Sequence, residues 1–183
     1  MSILLLIVSI ILWVASLVAL PLRIFYAPAL SYLGLLCLSF CSTGPDPWLP
    51  INNTILYSWL ALTLVVMIAT MLQTPAVRSS KKGMAYMMGG AIVGLALGLL
   101  GYTATTDENS LYGIMAVAVI VGIFFGFLVF SRTPDGRRFS ITSGNFFNYL
   151  LAKGFPIAVT IIQIGLVFVL MIVTNLNRGL VIN

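Results

Sequence analysis

Long apolar stretches separated by short polar connectors dominate the pattern of this chain, and strand-like alternation of apolar and polar positions is absent. A helix rises about 1.5 Å per residue, so about 20 apolar residues cross a hydrocarbon core of about 30 Å. Helices satisfy their own backbone there. The sequence therefore predicts an all-α integral membrane protein, a single domain whose polytopic bundle has spans at 2–20, 28–42, 54–73, 84–104, 111–130 and 156–175.

The second stretch is the shortest of the six. It begins at Pro28, which suits the first turn of a helix because proline lacks only an N–H that would be unpaired there. It ends before Gly44 and Pro45. A full crossing gives six transmembrane helices, and a re-entrant hairpin at this place gives five.

A different kind of segment precedes the last span. Between 144 and 153, apolar side chains fall on one helical face: Phe146, Phe147, Leu150 and Leu151. Gly154 and Pro156 then interrupt the run. This pattern predicts a short amphipathic helix lying in the membrane interface. The alternative is a simple extension of the sixth span, kinked at Pro156.

Charge gives the bundle an orientation. Hydrophobic residues make up 61% and charged residues 7% of the chain, against about 25% charged in soluble domains. Lys and Arg collect in alternate connectors, as they do on the cytoplasmic side, with Arg178 the exception. We therefore expect a multi-pass protein of the plasma or inner membrane with both termini on the non-cytoplasmic side. The basic connector residues are Arg23, Arg78, Lys81, Lys82, Arg132, Arg137, Arg138 and Lys153.

The same placement explains the sequence pI near 9.5 without nucleic acid as a partner. Basic side chains at the cytoplasmic boundary meet anionic lipid headgroups, and long ones reach them by extending along the membrane. The predicted headgroup contacts are Arg78, Lys81, Lys82, Arg137, Arg138 and Lys153.

Catalytic chemistry has few candidates in this chain. There is no histidine, and the four acidic residues all fall in connectors: Asp46, Asp107, Glu108 and Asp135. No Gly-x-Ser-x-Gly nucleophile elbow occurs. We therefore predict no enzyme activity, no cofactor and no metal site.

Glycines at four-residue spacing mark two of the spans. Gly90, Gly94 and Gly98 repeat in the fourth span, and Gly122 and Gly126 repeat in the fifth. Such stripes let helix backbones approach closely. We expect them to pack helices within the chain; an oligomer seam or a glycine-lined conduit is the alternative.

Gln163 is the most polar side chain well inside a predicted span. An amide there hydrogen-bonds across helices or contacts a substrate. Two functions are compatible with these features, and we expect the first; the second is the alternative. The first is a small-solute transporter or channel that works as an oligomer and is lined by Gln163 and the glycine faces. The second is a non-catalytic structural or assembly subunit of a larger membrane complex. The expected partners are the lipid bilayer and either further copies or other membrane subunits.

Overall fold

A computed structural model describes residues 2–41, 51–72, 82–103, 108–139 and 143–181, and within these ranges it contains helices and turns but no strand. Seven α-helical segments follow one another in these ranges: α1 (Ser2–Arg23), α2 (Ala27–Cys41), α3 (Asn53–Met71), α4 (Met84–Leu99), α5 (Glu108–Ser131), α6 (Phe146–Tyr149) and α7 (Phe155–Val181).

The described residues of all six predicted stretches are helical, apart from the turn at Leu72. Four helical stretches have the length and apolar composition needed to cross a membrane: Ile3–Leu22, Asn53–Met71, Ser110–Ser131 and Phe146–Thr174. The apolar parts of α2 and α4 are shorter, and α4 continues into a 3-10 turn at Leu100–Thr103. At 15 residues, α2 is roughly 22 Å long, which agrees with its short apolar stretch in the sequence.

The centre of the bundle is α7. In its most apolar window 78% of the residues are buried, whereas the corresponding share is 17% in α1 and α3 and 28% in α5. Helices α2, α3, α4 and α5 all pack against it. These four helices therefore cover much of α7, and α1 packs mainly against α2 with much of its surface exposed.

Helices α4 and α5 form an antiparallel pair along the predicted glycine stripes, and we call their contact the glycine seam. A methyl group built at Gly90 would overlap the carbonyl of Gly122, and one at Gly94 would overlap the carbonyl of Ala118. A methyl group at Gly98 would lie 2.6 Å from the Cα of Met115. In this structure the stripes therefore lie at a contact between two helices of the same chain, and their role as pathway or packing residues stays a prediction.

The α1/α2 pair uses a different contact. The Ser9 hydroxyl donates a hydrogen bond to the carbonyl of Gly34 at 2.9 Å. The indole of Trp13 covers Gly34 so closely that a methyl group there would overlap the ring. A small residue on α2 thus admits the largest side chain of α1.

The expected interruption between the interfacial segment and the last span is absent. α6 continues through a π turn at Leu150–Gly154 directly into α7, and the Phe155 N–H donates to the carbonyl of Leu150. A proline ring clashes with the carbonyl four residues before it in a regular helix. The i→i−5 bonding of a π turn widens the backbone ahead of Pro156, which explains why the helix continues.

The predicted apolar face of this segment is also divided. Phe146 is buried with 7% of its surface exposed, but its neighbour Phe147 is 76% exposed and Leu151 is 44% exposed. Tyr149, Ala152, Lys153 and Gly154 complete the buried side. Placement of this segment in a membrane interface stays a prediction.

Replacing a glycine of the seam with a large residue should destabilise the α4/α5 pair. We expect Gly94→Leu to lower the free energy of unfolding by about 3 kcal/mol or more, because overpacking costs about 1–3 kcal/mol even where side chains can move and here the neighbour is backbone. Thermal unfolding in detergent measures it. Gly113→Leu is the control, since nothing lies within 4 Å of that site; equal melting of both variants would contradict the seam.

Candidate functional site

A buried polar cluster joins three helices around Gln163 of α7. The hydroxyl of Ser31 on α2 donates to Gln163 Oε1. Gln163 Nε2 donates to Thr63 Oγ1 on α3 at 2.9 Å. Gln163 and Ser31 are fully buried and Thr63 is 3% exposed. The amide therefore ties the central helix to two of its neighbours.

Both hydroxyls also contact their own helices. Thr63 Oγ1 donates to the carbonyl of Trp59 at 2.7 Å, and Ser31 Oγ lies 3.3 Å from the carbonyl of Pro28. The sequence singled out Gln163 but not Ser31, its partner on α2. The available signal was that Ser31 is one of few polar residues in an apolar stretch, and only the tertiary contact distinguishes it from a serine bonded to its own backbone.

Three cavities lined by the described residues open on the sides of the bundle, and Gln163 lines none of these three. One of about 780 Å³ lies between α1 and α2. One of about 680 Å³ lies over the outer face of the α4/α5 pair. The third, of about 430 Å³, lies between α3 and α5 against α7. All three are lined almost wholly by apolar groups.

The cavity over α4 and α5, which we call the outer groove, has a floor of small residues. Four of the five glycines predicted as pathway or packing residues lie in it: Gly90, Gly94, Gly122 and Gly126. Gly98 belongs to the seam but not to the groove lining. Ridges of larger exposed side chains flank this floor, including Val93 and Leu97 on α4 and Val121 and Phe125 on α5.

Several of the predicted headgroup contacts come together at one end of the bundle. Lys82 forms an ion pair with Asp135 at 2.9 Å, but the side chains are 68% and 60% exposed, so the pair adds little stability. The Tyr149 hydroxyl donates to the Lys82 carbonyl. Arg137 and Arg138 are exposed and stay predicted headgroup contacts. Arg78 and Lys81 lie outside the described residues.

Lys153 requires a correction. A headgroup contact needs an ammonium group that reaches the surface, yet only 2% of Lys153 is exposed. The π turn at Leu150–Gly154 directs this side chain into the bundle together with Ala152. The sequence could not indicate this, because in the predicted interfacial helix Lys153 was expected on the polar face.

Six aromatic rings pack beneath the basic connectors, and we call this cluster the aromatic cap. Neighbouring ring centroids lie 4.4–6.5 Å apart. Gly83, with φ of +90°, brings its backbone against the ring of Phe130, a conformation that glycine adopts without strain. No local pattern in the sequence indicated this cluster. Its members are Tyr86, Phe127, Phe130, Phe139, Phe146 and Tyr149.

In the part of the chain that the structure describes, no group of three His, Cys, Asp or Glu side chains lies together. A scan against protein-family models and searches of curated proteins and of solved structures give no match. The proposed function is therefore based on the geometry of the helices and their surfaces.

Removing the Gln163 amide should weaken the bundle moderately. We expect Gln163→Leu to lower the free energy of unfolding by about 0.6–2 kcal/mol, the range for hydrogen bonds between membrane helices, because both hydroxyl partners keep contacts to their own helices. Reversible unfolding in mixed micelles measures it. Thr160→Val is the control, since Thr160 Oγ1 is buried without a hydrogen-bond partner; an equal loss in both variants would contradict the cluster's role.

Proposed function

We propose that this chain is an integral, multi-pass membrane protein that acts as a non-catalytic structural subunit of a larger membrane complex. The observation that carries the proposal is the outer groove, whose floor of small residues on α4 and α5 matches the surface that membrane helices use to pack closely. The proposed occupant is a transmembrane helix of another subunit.

Membrane placement has support from the exposed surfaces. Large apolar side chains cover the outside of α1, α3, α4 and α5, with exposures reaching 77% at Ile3 and 70% at Tyr57. Water-soluble monomers rarely expose contiguous apolar patches of more than a few hundred Å². In the hydrocarbon interior of a membrane, exposing this apolar surface costs little free energy.

The dimensions of the outer groove suit one side of a helix. Its α4 wall runs from Ala85 to Leu97, which is roughly 18 Å of helix. Dividing the volume of about 680 Å³ by that length gives a mean cross-sectional area of about 40 Å². A whole helix of 10–12 Å diameter has a cross-sectional area of about 80–110 Å². A docked helix would thus insert one face and leave the other free.

A second copy fits the groove less well than a foreign helix. In a two-fold dimer the same patch meets itself, so the flanking ridges of each copy, rather than one helix face, would have to enter the groove of the other. Insertion of the exposed α1 of another copy would be a head-to-tail contact, which extends into open chains unless it closes into a ring. We therefore favour a different subunit.

The transporter or channel function stays a prediction. It would require a polar route to Gln163, whose side chain is fully buried and bonded to Ser31 and Thr63. It would also require the glycine seam to part, although the two backbones are in direct contact there.

Filling the groove should release the partner without unfolding the chain. We expect wild-type protein, extracted gently from its own membrane, to carry a stoichiometric foreign subunit in a native mass spectrum. Gly89→Leu should lose at least nine-tenths of that subunit, since Gly89 lies in the groove and nothing is within 4 Å of it on the side where the new side chain starts.

The control is Gly113→Leu, an equally open glycine that does not line the groove. It should keep the partner, and both variants should melt like wild type. A homo-oligomer without foreign subunits would overturn the subunit proposal and favour a self-contained transporter or channel. Recovery of the protein in the wash of alkali-treated membranes would overturn the membrane placement.

A further inference from the structure

The cavity of about 430 Å³ is a narrow crevice whose shape differs from that of the outer groove. Helices α3 and α5 form its sides and the helical run from α6 to α7 forms its back. Phe147 and Leu151 line it at the end where the basic connectors lie. Trp59 and Ile162 line it further along, at the level of Thr63 and Gln163.

The crevice is too thin for a helix but suits a single hydrocarbon chain. From Phe147 to Ile162 the helical rise is roughly 22 Å. A volume of about 430 Å³ over this length gives a mean section of about 20 Å², several-fold below the 80–110 Å² of a helix. Among membrane components, an extended acyl chain has this long, thin and apolar form.

Two local features of the chain create the space. The π turn at Leu150–Gly154 widens the backbone, and π turns inside helices are frequent at functional sites. Gly154 and Ala158 then present little side-chain volume toward the cavity. A methyl group at Gly154 would lie 3.0 Å from Leu150 and 3.4 Å from Ile123, so even this small addition would narrow the crevice.

Positive charge at this end of the bundle favours an anionic headgroup. Phe147, at the end of the crevice, contacts Phe146 of the aromatic cap with ring centroids 4.9 Å apart. The same cap holds Phe139, which directly follows Arg137 and Arg138. The exposed charged residues described at this end are Lys82, Arg132, Arg137 and Arg138 against Asp135 alone. This surplus of positive charge attracts anionic headgroups.

We propose that the crevice between α3, α5 and α7 binds one acyl chain of an anionic phospholipid, with its headgroup at the basic rim formed by Arg137 and Arg138. The inference rests on the membrane placement proposed above but not on the partner subunit. A lipid in this position fills the space between helices that would otherwise be empty, and it joins α3 to the α5 side of the bundle.

Native mass spectrometry of the detergent-purified chain, titrated with an equal mixture of phosphatidylglycerol and phosphatidylcholine, tests the proposal. We expect one saturable phosphatidylglycerol per chain. Ala158→Leu should weaken it at least tenfold because the added side chain occupies the crevice. Ala96→Leu, at an exposed alanine of α4 outside the three cavities, should bind like wild type.

Replacing both Arg137 and Arg138 with glutamine should reduce the preference for phosphatidylglycerol by about fivefold per charge, the effect of one basic side chain near an anionic surface. Binding of the acyl chain itself should persist. Equal phosphatidylglycerol binding by Ala158→Leu and Ala96→Leu would overturn the proposal. Lipid adducts whose number never saturates would also overturn it. These readouts are independent of Gly89, so loss of the partner subunit and loss of the lipid are separate results.

A fluorescence measurement covers the case in which Ala158→Leu does not fold. With Trp13 and Trp48 replaced by phenylalanine, Trp59 in the crevice wall is the remaining tryptophan of the three. Brominated phosphatidylglycerol in phosphatidylcholine vesicles should quench it at low mole fraction and to saturation. Quenching that rises only with the bulk mole fraction, equally for brominated phosphatidylcholine, would overturn the site.

Discussion

Helices α2, α3, α4 and α5 all pack against α7, and the burial of α7 is the constraint on which the bundle depends. Seventy-eight per cent of its most apolar window is buried, yet in the membrane environment proposed above apolar burial supplies little driving force between helices. Close packing and polar bonds must replace it. The Gln163 amide contributes such bonds in two directions, to Ser31 and to Thr63, and so sets the rotation and depth of α7 against α2 and α3.

The α4/α5 pair also has to associate without a large apolar driving force, and it does so through a different contact. Its backbones touch along Gly90, Gly94 and Gly122, so attraction is summed over many close atom pairs rather than held in a few hydrogen bonds. Separating the two helices by a small distance would forfeit much of this attraction. A close backbone contact of this kind agrees with the docking surface proposed above.

Apolar length was sufficient to predict the helices, because a helix is the only segment that satisfies its backbone locally in an apolar solvent. Glycine spacing likewise predicted the seam, since the small residues recur on one face. The π turn, the burial of Lys153 and the bond to Ser31 were beyond the sequence. The burial of Lys153 and the bond to Ser31 depend on the position of a second helix. The π turn depends on how the backbone accommodates Pro156, and a local hydrophobic pattern predicts neither.

The π turn affects the structure on both sides of it, in α6 and in α7. By accommodating Pro156 it keeps Phe146 and Tyr149 continuous with α7, so part of the aromatic cap belongs to the same helical run as the central helix. The wider turn also directs Lys153 inward and leaves Gly154 against the crevice. One local change in hydrogen bonding therefore determines how the basic end is anchored and how much room exists between α3 and α5.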